Sequence, residues 1–315
     1  MHAIGVDIGG TKIAAGVVDE DGNILAQTRR VTEPDDAASI DLAVADVYTE
    51  LSRDFEIGAI GVAAAGFVNS DRSTVLFAPN IAWRDYPLQT NVRALLGNDD
   101  VRIVVENDAN AAGWAEFRFG AGRDVDDMLL LTVGTGLGGA IVVGGNLVRG
   151  AWGVAAEVGH MRVVPNGHYC GCGNEGCWEQ YTSGSALVRD AQSALITQPE
   201  RAVRLLELAG GNAAKLEGPH ITDAAKEGDP LAIELLAELG RWIGEGSASV
   251  AALLDPALIV IGGGVGAAGE LLLGPARHAF ENSLSARGFR PLAEFQLAAM
   301  GNEAGIVGAA DLARI

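Results

Sequence analysis

Ile4–Arg29 reads IGVDIGGTKIAAGVVDEDGNILAQTR, and Met128–Arg149 reads MLLLTVGTGLGGAIVVGGNLVR. Each opens on a short apolar strand, Ile4–Asp7 or Met128–Val133. A glycine turn follows, Gly9-Gly10-Thr11-Lys12 or Gly134-Thr135-Gly136-Leu137-Gly138-Gly139. Then come a second strand (Ile13–Val18; Ala140–Val143), an Asx/Gly turn and a third strand (Ile24–Arg29; Leu147–Arg149). The plan recurs about 125 residues along the chain. A weaker rhyme pairs Ile57–Gly66 with Leu258–Gly266, each a strand ending in small residues. Two halves on one plan imply two related α/β domains with a cleft between them.

Working outward, Ile40, Val44, Val47, Tyr48, Leu51 and Phe55 recur at helical spacing. Val101–Val105 is a strand running into Glu106-Asn107-Asp108, with a helix expected from there to Phe119. Leu231–Leu254 is a long helix that stops at Asp255-Pro256, and further helices are expected over Glu270–Ser285 and Asn302–Arg314. The boundary is placed in the glycine- and charge-rich loop Gly120–Asp127. This divides the chain into a smaller domain, 1–120 with helix 302–315 packing back on it, and a larger one, 121–301.

The length of 315 residues suits about two domains. The net charge of −19 argues against a nucleic-acid partner, because phosphate backbones attract basic faces. No apolar run approaches the ~18–20 residues of a membrane span, and the N-terminus opens on a strand pattern with no leader. A cytoplasmic protein is expected. Lysine occurs only as Lys12, Lys215 and Lys226. An anionic ligand would therefore need local donors: backbone N–H groups, a nearby cation or a metal.

Four stretches carry chemistry. In Asp7-Ile8-Gly9-Gly10-Thr11-Lys12, glycines present backbone N–H groups to a phosphate, Lys12 adds a cation, and Asp7 can hold Mg²⁺ directly or through water. A plain turn would require neither Asp7 nor Lys12. The loop is not a Walker loop, since a strand follows it. Gly134–Gly139 and Gly264–Gly269 both match G-x-G-x-x-G formally. The first opens a strand and the second lacks a following βαβ unit, so neither is a dinucleotide fingerprint. A nucleotide over the helix start near Gly264 remains an option.

Glu106-Asn107-Asp108-Ala109-Asn110 packs more polar groups at a strand–helix junction than an N-cap requires. A base at Asp108 would have its anion stabilised by the helix N-terminus. The expectation is a lowered pKa and a weak, always ionised acceptor. Finally, all three cysteines lie in Cys170-x-Cys172-x₄-Cys177, with His160 ten residues upstream. Three thiols and an imidazole suit a Cys₃His zinc site, with His168 as an alternative fourth ligand. Glu157 and Glu179 flank that knuckle, placed to accept sugar-like hydroxyls.

Asp7–Lys12, Gly134–Gly139, Glu157-x-x-His160 and Cys170–Glu179 together resemble the ROK family (repressors, open reading frames, sugar kinases), over essentially the whole chain. The resemblance implies the two-domain, actin-like and hexokinase-like ATPase fold with ribonuclease H-like domains. It also implies ATP- and Mg²⁺-dependent phosphorylation of a hexose. By position, Asp108 then looks like the catalytic base, and Asn107, Asp108, Glu157, His160 and Glu179 like sugar ligands, with Gly66 and Asn80 lining the same pocket. Gly9, Gly10, Thr11, Lys12, Thr135 and Gly136 look like phosphate loops, and Gly263 and Gly264 like the adenosine contact. His160 would place one nitrogen on zinc and the other on a sugar hydroxyl.

The family's repressors carry an N-terminal helix-turn-helix, whereas this chain starts at the first strand pattern, so the kinase branch is expected. Asn80-Ile81-Ala82-Trp83-Arg84-Asp85 and the knuckle are most similar to the glucokinases of that branch, which phosphorylate the 6-hydroxyl of glucose. N-acetylmannosamine or fructose as substrate, a non-catalytic sugar sensor and an actin-type chaperone or filament protein are the alternatives. A homodimer or larger homo-oligomer is the family expectation.

Overall fold

Side chains alternate across a strand, so β1 (His2–Ile8) presents Ile4, Val6 and Ile8 to one face and Ala3, Gly5 and Asp7 to the other. In the computed structural model, which describes residues 1–315, this alternation organises the first of two compact units. That unit comprises Met1–Asp124, Ala140–Ala156 and Ala299–Ile315. Strand β1 pairs antiparallel with β2 (Lys12–Val18), which pairs antiparallel with β3 (Ile24–Val31). After helix α1 (Ala37–Leu51), β4 (Ile57–Ala64) returns parallel to β1. Short strands β5 (Phe67–Val68), β6 (Val75–Phe77) and β7 (Arg84–Tyr86) form a separate small sheet. Helix α2 (Leu88–Leu96) leads to β8 (Arg102–Asn107), parallel to β4, and then directly to α3 (Asp108–Phe119). The main sheet has the order β3-β2-β1-β4-β8.

Its two faces are packed differently. Ile4, Val6, Ile8, Val62 and Val105 meet Ile40, Val44, Val47, Leu88 and Val92, all buried. On the other face, Ala3, Ala59, Val104 and Ala115 cluster with Ile306, Val307 and Ala310. These last belong to the C-terminal helix (Ala304–Arg314). Small residues let its backbone come close. A Cβ on Gly5 would lie 1.8 Å from the carbonyl oxygen of Ile306, and one on Gly61 would lie 1.8 Å from that of Ala309. Gly61→Ala is therefore expected to cost about 1–3 kcal/mol or more by overpacking, read as a lowered midpoint in urea unfolding.

The second unit comprises Val125–Gly139 and Glu157–Ala298. It opens with β9 (Met128–Val133) and the start of β10 (Leu137–Val143); the rest of β10, with β11 (Asn146–Leu147), falls in the Ala140–Ala156 segment counted with the first unit. Helices α4 (Glu179–Thr182), α5 (Gly184–Thr197), α6 (Val203–Leu208), α7 (Gly218–Lys226) and α8 (Pro230–Leu254) precede β12 (Leu258–Gly262). Helix α9 (Glu270–Ser283), β13 (Glu294–Leu297) and the terminal helix, α10, complete the chain. The second sheet runs β11-β10-β9-β12-β13, with β12 parallel to both its neighbours. Buried on both faces, β12 is a continuous apolar run. Helix α8 starts where Asp229 accepts from the Ala232 N–H at 2.8 Å and Pro230 stands at the first helical position. It ends at Asp255, in the left-handed region with φ 47°, just before Pro256. No helix is long and apolar enough to cross a membrane.

Candidate active site and thiol cluster

In the first unit, the β1–β2 turn is closed by the Gly9 N–H donating to the Lys12 carbonyl at 3.0 Å, and the Thr32 hydroxyl donates to the Gly9 carbonyl at 2.8 Å. A Cβ on Gly10 would lie 3.5 Å from the Asn80 Cβ, so the phosphate-type loop and Asn80 are neighbours. Asn107 caps α3 through its Oδ1, which accepts from the Asn110 N–H at 2.9 Å, while its Nδ2 donates to the Gly66 carbonyl at 3.0 Å. Gly66, Asn107 and Asp108 thus lie together. Asp108 is the first residue of α3, and its Oδ1 accepts from the Ala109 N–H at 2.9 Å.

The expected lowering of the Asp108 pKa is corrected by the structure. Burial, reinforced by the negative charge of Asp7, pushes it up to about 6, outweighing the backbone N–H groups at the helix start. Asp7 is itself pushed above the usual carboxylate range, chiefly by burial, against the pull of Lys12. Asp108 is therefore a stronger base than an ordinary carboxylate and still ionised at neutral pH.

In the second unit, a cavity of about 720 Å³ opens between the β9–β10 turn, α5, α7 and the loop after β12. Gly134, Thr135 and Gly264 line it, with the first turn of α5 (Gly184, Ser185) and Leu216, Pro219, Thr222 and Lys226 from and around α7. The start of α5 is tied to that turn: the Gly184 N–H donates to the Gly134 carbonyl at 2.7 Å, and Ser183 caps the helix by accepting from the Ala186 N–H at 3.1 Å. The α5 and α7 contributors escape a sequence reading because no local motif marks them. Of the residues expected on this wall, Gly136 turns elsewhere: a Cβ on it would lie 3.0 Å from Glu179 Oε2. Gly263, with φ 82°, packs against the Val133 backbone, where a Cβ would lie 2.4 Å from the carbonyl oxygen. A Cβ on Gly264 would meet nothing within 4 Å. Gly264→Ala is expected to fold normally yet weaken a nucleotide seated in this cavity by roughly tenfold, about 1.4 kcal/mol of lost contact, measured by calorimetry.

The thiol cluster belongs to the same unit. One ligand atom from each of His160, Cys170, Cys172 and Cys177 lies within 4.8 Å of the other three. The Sγ atoms of Cys172 and Cys177 are 3.6 Å apart, and His160 Nδ1 is 3.7 Å from Cys170 Sγ. A tetrahedral ion with Zn–S bonds of ~2.3 Å would space its sulfurs by about 3.8 Å. The donor set and its spacing fit zinc. His168, the alternative, points away: its ring packs on Tyr181, with centroids 5.4 Å apart. The turns that fold the cysteines together need Gly176 at φ 76°, where a Cβ would strike the Val164 carbonyl oxygen at 1.6 Å. Glu179 Oε1 lies 2.9 Å from Cys170 Sγ, and Glu157 Oε2 lies 3.9 Å from His160 Nε2. His160 thus turns Nδ1 to the thiols and Nε2 to Glu157. Trp178, fully buried, anchors the end of the knuckle by donating to the Trp242 carbonyl at 2.8 Å.

The sequence profile of the ROK family matches residues 3–315. The chain belongs to the ROK family. Among ROK relatives, glucokinase of Streptomyces coelicolor is 51% identical over 311 residues, covering 99% of this chain and 97% of its own. Glucokinase of Thermotoga maritima is 33% identical over 314 residues, again 99% and 97%. A crystal structure of a ROK family glucokinase from Streptomyces griseus, in complex with glucose and AMPPNP, is 51% identical, with a TM-score of 0.89 over 100% of this chain and 99% of that one. The actin-like, hexokinase-like α/β fold expected from the sequence is the ROK kinase fold that this chain shares with it.

Proposed function

We propose that the chain phosphorylates glucose on its 6-hydroxyl with ATP as donor. The observation that carries this reading is Asp108, a carboxylate whose pKa is raised to about 6, set beside Asn107 and Gly66 at a helix start. It stands in a chain similar along its whole length to a kinase crystallised with glucose and an ATP analogue. Asp108 accepts the proton of the 6-hydroxyl as the phosphoryl group arrives, and a base with a pKa near the working pH suits that task. Asn107, Glu157, His160 and Glu179 hold the sugar's other hydroxyls, with Gly66 and Asn80 beside them. Gly9, Gly10, Thr11 and Lys12, together with Thr135, receive the phosphates; Gly136, turned toward Glu179, is left out of that set. The adenosine occupies the 720 Å³ cavity, against Gly264 with Gly263 behind it.

Asp7 would hold Mg²⁺, whose charge neutralises the β- and γ-phosphates. His160, Cys170, Cys172 and Cys177 would hold zinc, which stiffens the loop between Glu157 and Glu179. The functional domains are read as 1–120 with 302–315, and 121–301. The protein acts in the cytoplasm as a homodimer or larger homo-oligomer, which sedimentation would test. A coupled assay with ATP over a panel of hexoses tests the function. Turnover highest on glucose is expected. Higher kcat/KM on N-acetylmannosamine or fructose would move the substrate, and no turnover on any hexose would reduce the chain to a sugar sensor.

A further inference from the structure

Glu106 sits two residues before Asp108 on β8, and its side chain is 3% exposed. Both carboxylate oxygens are engaged. Oε1 accepts from the Asn107 backbone N–H at 3.2 Å and from Asn110 Nδ2 at 3.1 Å. Oε2 accepts from Arg149 Nε at 2.7 Å and lies 3.3 Å from Arg72 Nε. The first oxygen grips the residues on either side of Asp108 in the opening turn of α3. The second gathers two distant segments. Arg149 heads a loop closed by the Ala155 N–H donating to the Arg149 carbonyl at 3.0 Å. That loop runs on, along the chain, to Glu157. Arg72 stands at the tip of the β5–β6 turn in the left-handed region, φ 57°, a conformation that costs energy in a residue with a Cβ. It is pinned there on two more sides. Its carbonyl accepts from the Val105 N–H at 2.9 Å, and its Nη2 donates to the Leu312 carbonyl at 2.9 Å.

Burying one carboxylate with two guanidiniums adds little net stability, because desolvation offsets the attraction. Orientation is what such a fork supplies. The α3 cap is already made by Asn107 Oδ1, so Glu106 is not needed to start the helix. Instead it fixes the Asn107 backbone and the Asn110 side chain, between which Asp108 is mounted. We propose that Glu106, clamped by Arg149 and Arg72, is the positioning residue of this site: it sets the direction of Asp108 and couples it to the loop that leads to Glu157. The inference rests on Asp108 being the proton acceptor. A displacement of about 1 Å at such a group is enough to cost about 10²-fold in rate.

Glu106→Gln keeps the size and one acceptor but releases both arginines. The expected result is a kcat lowered ~10- to 10²-fold, with KM for glucose and ATP moving less than about threefold. Because Glu106 acts through Asp108, the loss should vanish in an Asp108→Asn background, the double variant turning over as slowly as Asp108→Asn alone. A wild-type kcat for Glu106→Gln, or an equal proportional loss in both backgrounds, overturns the proposal. If Glu106→Gln fails to fold, Arg149→Lys carries the same readouts, since it leaves the carboxylate in place but replaces a fixed donor with a mobile ammonium. Asp108→Asn turning over at the wild-type rate would sink the reading of Asp108 and this inference together. A slow Asp108→Asn beside a fully active Glu106→Gln would sink only the positioning role.

Discussion

Asp108→Asn folds, melts at a higher temperature than the wild type near neutral pH, and turns over about 10²–10⁴-fold more slowly: that is the result expected from the site's electrostatics. The amide cannot accept the hydroxyl proton, which accounts for the rate. The melting temperature follows from linkage. The folded-state pKa of Asp108 is raised to about 6, above its unfolded value, so its charged form opposes folding at neutral pH. That penalty is relieved as pH falls through about 6 in the wild type, and it is absent at every pH in the amide variant. The same value sets the acid limb of the rate profile. In the free enzyme kcat/KM should decline below pH about 6, by about tenfold per unit, as Asp108 takes a proton. Differential scanning calorimetry and a pH series of kcat/KM check the two halves. A wild-type rate in the variant removes Asp108 from the role of base, and an acid limb near pH 4 would mean that its surroundings do not raise its pKa.

Cys177→Ser gives the second large effect: loss of the bound metal, a glucose affinity lowered by about 10- to 100-fold, and AMPPNP binding left as it was. Cys177 is buried and runs directly into Trp178, also buried, and Glu179. In the variant the two remaining thiols, the new hydroxyl and the imidazole, at positions whose ligand atoms lie within 4.8 Å of one another in the wild type, have no ion to draw them together. The loop carrying Glu179 and His160 then samples many positions. The cavity proposed for the nucleotide draws its walls from other segments, α5, α7 and the loop after β12, so it should be indifferent. Metal analysis of the wild type should return one zinc per chain, and calorimetry with glucose and AMPPNP separates the two affinities. A wild-type protein purified without zinc, or a variant binding glucose normally, would end this account of the knuckle.

Much of the site was legible in the sequence wherever short-range rules govern. The glycine turn Gly9–Lys12 follows an apolar strand and precedes another, and the structure closes it as a hairpin turn. The cysteine spacing with its glycines announced a knuckle, and the polar run Glu106–Asn110 announced a helix start, with the structure choosing Asn107 over Asp108 as its cap. Other features were hidden. The strands of the small sheet, β5 to β7, are two or three residues long and carry no periodicity to detect. The α5 and α7 lining of the cavity is ordinary helix in one dimension. Glu106 reads as one polar residue among several until Arg149 and Arg72 are seen on it.

What the sequence by itself determined is the repeated strand–turn–strand plan, the helix limits such as Asp255-Pro256, and which residue types stand ready for phosphate, metal and hydroxyl. These follow from alternation, turn chemistry and capping, which act between residues a few positions apart. Only the tertiary structure decided that His160 rather than His168 joins the thiols, that Gly136 turns toward Glu179, and that Asp108 is a stronger base than its helix end would make it. Those outcomes depend on desolvation and on neighbours as distant along the chain as Asp7 is from Asp108. Such terms come into being only when packing brings the segments together.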